Sequence, residues 1–277
     1  MRIIAESGAT KTEWRALNDD GSVLKAHSSG LNPSCINDEG IRSVMSDVIP
    51  VLNPEGRSVS EIFFYGAGLV SEESAAPLAE AFQMWCPFAE LTFSSDLLAA
   101  ARAIFGDEDG VVAIMGTGSN SCLYSGGKIV ENIRPGGFIL GDEGGGAALG
   151  NAFLADYIKG LLPGEINDDF KARYSLDYQT IVRRVYKEPD ASAFLASFAP
   201  YILSRLDNDY VYGLVQTNIV SFIERSLSRY PSSKVGVVGS FGNACRDILC
   251  ETGKRYGLEF VRFVTSPIDE LVRYHGI

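Results

Sequence analysis

Two short glycine-containing loops, each following a buried apolar run, are the first places in this sequence where chemistry is expected. The first lies in IIAESGATKTEW (residues 3–14) and the second in VVAIMGTGSNS (residues 111–121). Glycine lets backbone N–H groups approach an anion without a Cβ in the way, so both loops suit phosphate binding. Taken singly, each loop is explained about equally well by a tight turn.

Neither loop matches the commonest phosphate-binding motifs. A P-loop runs through Gly-Lys-Ser/Thr into a helix, whereas Lys11 follows Thr10 and precedes an extended segment. The GTGSNS segment matches only part of the dinucleotide fingerprint and also leads into a strand, which argues against a Rossmann site. The pattern that remains is a phosphate held between two hairpins.

Carboxylates at the ends of predicted strands could bind a metal ion or accept a proton. Glu6 ends a buried strand, where it needs a cation or hydrogen-bond donors, and a water-bridged Mg²⁺ is the natural partner beside nucleotide phosphates. Asp96 follows the strand ELTF, either as a helix-start residue favoured by the macrodipole or as a general base at the carboxyl end of a strand. Lys11 is either a phosphate contact or a solvated charge, and the sequence does not separate the two.

The glycine-rich acidic segment GGFILGDEGGGAALG (residues 136–150) is the most unusual stretch of the chain. Asp142 and Glu143 lie between glycines just before a predicted helix. Their carboxylates can accept hydrogen bonds from the hydroxyls of a sugar-like ligand, and the alternative is a flexible turn with an acidic helix start.

Two weaker candidates lie elsewhere in the chain. Pro33 holds Asn32 extended, which suits a plain turn as well as a hydroxyl contact. Gly239 and Ser240 lie where a predicted strand meets a helix, which suits close packing of a flat adenine or a tight strand-to-helix connection.

Composition excludes several function classes. The 277 residues are 46% hydrophobic and 21% charged, enough for a packed core in one large or two modest domains. A net charge of -11 without a basic patch argues against nucleic acid and anionic lipid as partners. No apolar run approaches the ~20 residues that span a bilayer, and the first loop leaves no room for a signal peptide, so we expect a cytoplasmic protein.

Cysteine and histidine usage excludes further classes. The cysteines are scattered without a CxxC pair, which favours reduced thiols over disulfides or a zinc site. The chain has only two histidines, which argues against a Ser-His-Asp hydrolase and a His-ligated metal enzyme. These residues are Cys35, Cys86, Cys122, Cys245 and Cys250, with His27 and His275.

The elements that must position these residues follow a repeated plan. Strands are predicted at 3–5, 12–18 and 22–27, with a hairpin turn at Asn18–Gly21, and three strands recur within 111–132. We infer two related βββ units, each with a small-residue loop between its first two strands.

Alternating helices and strands follow each unit, which predicts an α/β protein with a boundary near residues 106–110. After the first unit, helices are predicted at 37–52, 72–85 and 96–106, with strands at 61–66 and 90–93. After the second come a mainly helical stretch at 146–230, a strand at 234–240, a helix at 243–257, a strand at 258–264 and a closing helix at 267–276.

Six segments in this order resemble the N-acetylglucosamine kinase and BadF-type ATPase family of the sugar kinase, Hsp70 and actin superfamily. They are ESGATKTEW, SSGLNP, SSDLLAAA, MGTGSNS, GGFILGDEGGGAALG and VVGSFGNACRDIL. The resemblance covers essentially the whole chain and implies two RNase-H-like lobes with a central nucleotide and sugar cleft. The lobes would comprise residues 1–108, with helix 267–277 packing back on them, and residues 109–266, with a helical insertion at about 146–230.

The resemblance also implies roles for individual residues. Asp96 matches the catalytic aspartate and Glu6 the Mg²⁺-associated acid. Nucleotide contacts fall on Gly8, Thr10, Lys11, Gly116, Thr117, Gly118, Gly239 and Ser240, and sugar contacts on Asn32, Ser119, Asn120, Gly136, Gly137, Asp142 and Glu143. Two residues depart from the family pattern: Glu6 stands where many relatives carry Asp, and Gly145 replaces the serine of the usual Gly-Asp-Glu-Gly-Ser.

The favoured hypothesis is an ATP- and Mg²⁺-dependent kinase of N-acetylglucosamine or a related amino sugar, acting at the C6 hydroxyl with Asp96 as base. One alternative is a BadF-type ATPase that activates a partner dehydratase through an iron–sulfur cluster, for which no cysteine pattern is present. Another is a non-catalytic sugar-binding protein. The motifs do not rank the amino sugars, and a homodimer is common among relatives.

Overall fold

The computed structural model describes residues 1–8, 11–33, 36–69 and 71–276. These residues form two five-stranded mixed sheets with helices, so the α/β prediction with two related βββ units is confirmed. Contacts divide the chain into one unit of residues 1–108 and 266–277 and a second of residues 109–265. Thr10, a predicted nucleotide contact, and Cys35 lie outside the described residues.

The first unit is built on a sheet with strand order β3-β2-β1-β4-β5. Its elements are β1 (Arg2–Ser7), β2 (Lys11–Leu17), β3 (Val23–Ser29), α1 (Asp38–Leu52), β4 (Glu61–Gly66), α2 (Glu72–Trp85), β5 (Glu90–Ser95) and α3 (Asp96–Phe105). Strands β1 to β3 pair antiparallel, whereas β4 and β5 run parallel to β1. The carboxyl ends of β1, β4 and β5 therefore meet at one edge, where Ser7, Gly66 and Ser95 lie in register.

Both faces of this sheet are covered, which explains why β1 reads as an apolar run. Ile3 faces a core shared with α1 and α2, in which Trp14, Phe64 and Phe82 pack edge to face. Ile4, on the opposite face, packs with residues of α3 and of the C-terminal helix.

The C-terminal helix α13 (Ile268–Tyr274) belongs to the first unit. The guanidinium of Arg15, itself buried, donates from Nε to Asp269 Oδ1 at 2.7 Å. His275 stacks on Phe63 at 3.8 Å, and its Nε2 is 2.8 Å from the hydroxyl of Tyr65. The ion pair with Arg15 and the stacked, hydrogen-bonded imidazole of His275 thus attach this helix to the sheet.

The second unit repeats the plan with strand order β10-β9-β6-β7-β8. Its strands are β6 (Gly110–Met115), β7 (Ser119–Ser125), β8 (Lys128–Glu131), β9 (Lys234–Val238) and β10 (Glu259–Val264). Its helices are α4 (Gly137–Leu140), α5 (Gly146–Lys159), α6 (Gly164–Tyr174), α7 (Tyr178–Tyr186), α8 (Ala191–Ala196), α9 (Ala199–Leu203), α10 (Asp209–Arg225), α11 (Ser240–Ala244) and α12 (Arg246–Arg255), with a 3₁₀ turn at Leu227–Arg229. Because β9 runs parallel to β6, their carboxyl ends are neighbours.

The single helix predicted over 243–257 is wrong, since α11 and α12 are separate helices that meet at Cys245. Helix α11 lies against the strands so closely that a Cβ on Gly242 would be 2.5 Å from Val237 Cγ1. Helix α12 packs instead on α10 and β10. The apolar spacing continues across both helices, so the sequence pattern does not mark the break at Cys245. Among the described residues, no helix is long and apolar enough to cross a membrane.

The His275 contacts predict a pH-dependent stability. Burial, with Arg102 and Arg2 nearby, lowers the pKa of His275 from its ordinary 6.5 to about 4. The unfolded chain therefore binds the proton first, and stability is lost as the pH falls through the window from about 6.5 to about 4. Between pH 7 and pH 4.5, the free energy of unfolding should fall by about 2 kcal/mol more in the wild type than in His275→Gln. Denaturant unfolding at the two pH values checks this, and equal losses in both proteins would contradict it.

Candidate functional site

Ser7, the last residue of β1, anchors the segment that carries Asn32. Its Oγ accepts hydrogen bonds from the Leu31 N–H at 2.8 Å and from the Thr12 hydroxyl at 2.9 Å, and the side chains of Ser7, Thr12 and Leu31 are buried. A buried hydroxyl with satisfied partners fixes its neighbours in place. The predicted sugar contact Asn32 is thereby positioned beside the carboxyl end of β1. Sequence reasoning did not select Ser7, whose partners lie in other strands and loops.

Two carboxylates within electrostatic range of each other lie at this edge of the first sheet. The carboxylate of Glu6 forms no hydrogen bond or ion pair with the side chain or backbone of a described residue. Burial, then Asp96 and Glu13, raise the pKa of Glu6 to about 7, against a smaller lowering by Lys11. Burial also raises the pKa of Asp96, although the N–H groups of Leu97 and Asp96 oppose the rise.

The helix-start position predicted for Asp96 is confirmed, and its role as a general base stays a prediction. Asp96 is the first residue of α3, its Oδ1 accepts the Leu97 N–H at 2.8 Å, and Ser95 Oγ caps the helix by accepting the Leu98 N–H at 3.2 Å. A carboxylate with a raised pKa is a stronger proton acceptor than an ordinary aspartate. The helix start thus holds a potential general base at the end of β5.

Glu6 fits a hard divalent cation. Its carboxylate is partly buried, lacks a described partner and supplies the oxygen ligands that Mg²⁺ prefers. Among the described residues, no group of three or more His, Cys, Asp or Glu side chains is placed to hold a metal ion. A Mg²⁺ at Glu6 would therefore complete its coordination with water and phosphate oxygens.

The first glycine loop contributes a turn and a cation. The Gly8 N–H donates to the Lys11 carbonyl at 3.0 Å and is thus engaged within the loop itself. Lys11 Nζ donates to Glu13 Oε1 at 2.8 Å, and the Lys11 side chain is 65% exposed. Of the described residues of this loop, Lys11 with its charged group is better placed than the N–H of Gly8 to bind a phosphate.

The second glycine loop, residues 116–118, joins β6 to β7. Its carbonyls at Gly116 and Thr117 accept the N–H groups of Gly146 and Ala147, both at 2.8 Å, at the start of α5. This arrangement leaves the N–H groups of Thr117 and Gly118 without a backbone acceptor among the described residues. Such N–H groups can bind a phosphate oxygen.

Asp142 lies against this second loop. Burial raises its pKa, whereas the backbone N–H groups of Ser119 and Gly137 lower it. Its backbone has a φ of 57°, a left-handed conformation that costs a non-glycine residue about 1 kcal/mol. A Cβ on Gly118 would be 2.4 Å from Asp142 Oδ2, so glycine at 118 makes room for the carboxylate.

The family departure at Gly145 has a local explanation. A Cβ at this position would be 2.7 Å from the carbonyl carbon of Gly118 and 2.9 Å from the carbonyl oxygen of Asp142. In this chain glycine allows the acidic segment to lie directly on the second loop. The serine of the family pattern would require one of the two backbones to move.

Helix α10 supports the acidic segment through residues that sequence reasoning missed. Asn218 accepts the Gly144 N–H at 2.9 Å and donates to the Gly145 carbonyl at 3.1 Å. Arg225 forms an ion pair with Glu143. Both partners are distant in sequence, so no local spacing signals them. Because the Glu143 carboxylate is paired in this way, its contact with a sugar stays a prediction.

Of the other predicted sugar contacts of the second unit, Ser119, Gly136 and Gly137 lie close to Asp142. Ser119 Oγ donates to the Glu143 carbonyl at 2.6 Å. Asn120 Oδ1 accepts from the Ser121 N–H and from Asn132 Nδ2, both at 2.9 Å, which leaves its own amide N–H groups without a described acceptor. Gly136 and Gly137, both with positive φ, are exposed at the start of α4 and close to Asp142.

A cavity of about 490 Å³ opens beside the second loop, within the second unit. This volume is in the range of small-molecule sites, about 300–1,000 Å³, and the walls are largely apolar, as such sites usually are. Predicted nucleotide residues meet here with a wall from α8, α9 and α11 that the sequence did not reveal. The lining residues are Gly116, Thr117, Gly146, Ser240, Phe241 and Ala244, with Ala196, Ala199, Pro200, Leu203 and Ser204.

Gly239 places Ser240 on this cavity. Its φ is 121°, its N–H donates to the Val264 carbonyl at 2.9 Å, and a Cβ here would be 2.2 Å from the Met115 carbonyl oxygen. Only glycine allows the end of β9 to approach the end of β6 so closely. Gly239 therefore contributes to the cavity through its backbone conformation.

Comparison with solved structures identifies proteins that match this chain over nearly its whole length. A protein from Porphyromonas gingivalis assigned as an N-acetylglucosamine kinase has a crystal structure that superposes with a TM-score of 0.94 and 36% identity, covering 99% of this chain and 98% of that one. One from Chromobacterium violaceum with the same assignment gives a TM-score of 0.76 at 20% identity, covering 99% and 98%, and supports the fold alone.

A curated relative matches over part of its length. Glucosamine kinase GspK of Vibrio cholerae serotype O1 is 29% identical over 149 residues, which are 52% of this chain and 50% of that protein. The match thus spans about half of the curated relative. No family model matches the chain.

The contact between Gly118 and Asp142 predicts unequal tolerance within the second loop. In Gly118→Ala the new methyl group meets the Asp142 carboxylate, and we expect a loss of about 1–3 kcal/mol in the free energy of unfolding. Gly116→Ala is the matched control, because a Cβ there meets nothing within 4 Å, and it should stay within about 0.5 kcal/mol of wild type. Denaturant unfolding measures both variants. Equal stabilities would contradict the packing described.

Proposed function

We propose, since the chain belongs to the N-acetylglucosamine kinase family, that it transfers the γ-phosphoryl group of ATP to an amino sugar. The acceptor is N-acetylglucosamine or a close relative, at its C6 hydroxyl. The observation that carries the proposal is that Gly116 and Thr117 of the second loop line one largely apolar cavity together with Ser240. A phosphate loop that opens on such a cavity suits a nucleotide, and the names of the relatives point to an amino sugar as acceptor.

The nucleotide would use two kinds of contact in the second unit. Adenine would lie in the cavity against apolar walls such as Ala199, Phe241 and Ala244. The phosphates would accept hydrogen bonds from the N–H groups of Thr117 and Gly118, which lack a backbone acceptor among the described residues. Hydrogen bonds to charged phosphate oxygens are stronger than neutral ones, so a short loop is sufficient to fix the phosphate chain.

Asp96 would act as the general base. Its carboxylate takes the proton of the C6 hydroxyl while that oxygen forms the new bond to the γ-phosphorus and the bond to the ADP oxygen breaks. The pKa of Asp96, raised by burial, favours this transfer over one to an ordinary aspartate. Most of the rate enhancement in phosphoryl transfer comes from positioning and electrostatics, so a base at a fixed helix start is well suited.

Glu6 would hold Mg²⁺ together with phosphate oxygens and water. When bound, the ion neutralises charge that develops on the phosphates. Among the described residues, the Glu6 carboxylate has no hydrogen-bond or ion-pair partner. This supports the assignment, because a partly buried carboxylate needs a cation or donors.

Sugar recognition would rest on Asp142 and Asn120 in the second unit. The Asp142 carboxylate is held by the N–H groups of Ser119 and Gly137 and can accept sugar hydroxyls. The Asn120 carbonyl is occupied, so its amide N–H groups would donate to the ligand. A site whose polar groups need partners discriminates strongly against a ligand that lacks them.

The proposed function is tested by ADP release from MgATP with a panel of glucosamine, N-acetylglucosamine, N-acetylmannosamine, glucose and no sugar. We expect strong stimulation by an amino sugar and little turnover without one. Hydrolysis of ATP that no sugar stimulates would contradict the proposal and favour an ATPase function. Tight sugar binding without turnover would favour a non-catalytic protein.

Asp96→Asn provides a test of the proposed base. The amide keeps the shape of the side chain but cannot accept the proton, so kcat should fall by about 10²–10⁴-fold while the Kd values for ATP and sugar stay near wild type. Asp107→Asn, at an exposed acidic residue just after the same helix, is the matched control and should be unchanged. Turnover by Asp96→Asn near that of wild type would refute the assignment.

A further inference from the structure

A buried carboxylate without an assigned role lies beside the first loop. Glu13 in β2 is paired directly across from Glu6 in β1, and only 8% of it is exposed. A buried acid next to another acid is unfavourable unless cations or donors compensate it. Glu13 therefore needs compensating partners at this position.

Both oxygens of Glu13 have a partner. Oε1 accepts from Lys11 Nζ at 2.8 Å, and Oε2 accepts from Ser266 Oγ at 2.7 Å. Burial raises the pKa of Glu13, but these two hydrogen bonds, with the charges of Lys11 and Arg15, outweigh it and leave the pKa lowered. The orientation of the Glu13 carboxylate is thus fixed by a hydrogen bond to each of its two oxygens.

This arrangement restricts the position of the Lys11 ammonium group, which donates to Glu13. The side chain of Lys11 is 65% exposed, and a lysine in such a position samples many rotamers that must be lost on binding. The fixed carboxylate selects one location for the ammonium group. Lysine has three N–H donors, and Glu13 occupies one of them, so two are available to a phosphate.

We propose that Glu13 is a positioning residue that holds the Lys11 ammonium group in place to contact the phosphates of the nucleotide. This inference rests on the proposed function, because it takes Lys11 to be a phosphate contact. Glu13 itself touches neither the nucleotide nor the sugar. Ser266, from the segment that precedes α13, contributes by fixing the second carboxylate oxygen.

A competing role makes the opposite prediction. If Glu13 neutralised Lys11 and competed with the phosphate for it, removing the charge of Glu13 would tighten nucleotide binding. If Glu13 only stabilised the local fold, its removal would have the same effect whether or not Lys11 were present. The sign of the effect and its dependence on Lys11 separate the three roles.

The experiment is a double-mutant cycle read out as the Kd for MgATP by calorimetry. The proteins are wild type, Lys11→Met, Glu13→Gln and the double variant, with far-UV circular dichroism to confirm folding. We expect Glu13→Gln to raise the Kd about two- to fivefold, the size expected of a partly exposed ion pair, and to have no further effect in the Lys11→Met protein. Glu61→Gln is the matched control, because it removes an ion pair with Arg2 at the amino end of β4, and it should bind as wild type does.

Two results would overturn the inference: a tighter Kd in Glu13→Gln, or equal effects of that change with and without Lys11. If the wild type binds MgATP and the cycle behaves as expected but no sugar is phosphorylated, the proposed function fails while the role of Glu13 stands. If the wild type binds no MgATP, both fail.

Discussion

The parallel pairing of the central strands determines where chemistry can occur in each unit. Because β1, β4 and β5 run in one direction, as do β6, β9 and β10, their carboxyl ends lie at one edge of each sheet. Beyond that edge the backbone groups are no longer paired in the ladder, so loops and helix starts begin there. In the first unit this edge carries Glu6 and Asp96, and in the second it carries Gly116 and Gly239.

Close backbone contacts then shape the second unit. Gly118, Gly145 and Gly239 each lie where a Cβ would collide with another backbone or with the Asp142 carboxylate. These contacts turn the carbonyls of the second loop towards the start of α5 and leave N–H groups of the loop for a ligand. The two explanations of such glycines, tight turn and phosphate loop, are therefore compatible, since the turn is what exposes the N–H groups.

The sequence predicts local features well and long-range partners poorly. Alternating apolar residues and the turn at Asn18–Gly21 identify the hairpins, and the position of Asp96 after ELTF identifies both a strand end and a helix start. By contrast, Asn218, Ser266 and the α8–α9 wall of the cavity reach the site through chain topology, which no short window of sequence contains. The apolar spacing also continues through Cys245 and so hides the break between α11 and α12.

The central claim is that a sugar hydroxyl attacks ATP under the control of these strand-end residues. Phosphorus–proton correlation NMR of a mixture of the protein, MgATP and N-acetylglucosamine tests it most directly, because the spectrum identifies the atom to which phosphorus becomes bonded. The account predicts a new phosphomonoester signal correlated with the two C6 protons of the sugar. Release of inorganic phosphate with no sugar phosphate would contradict it.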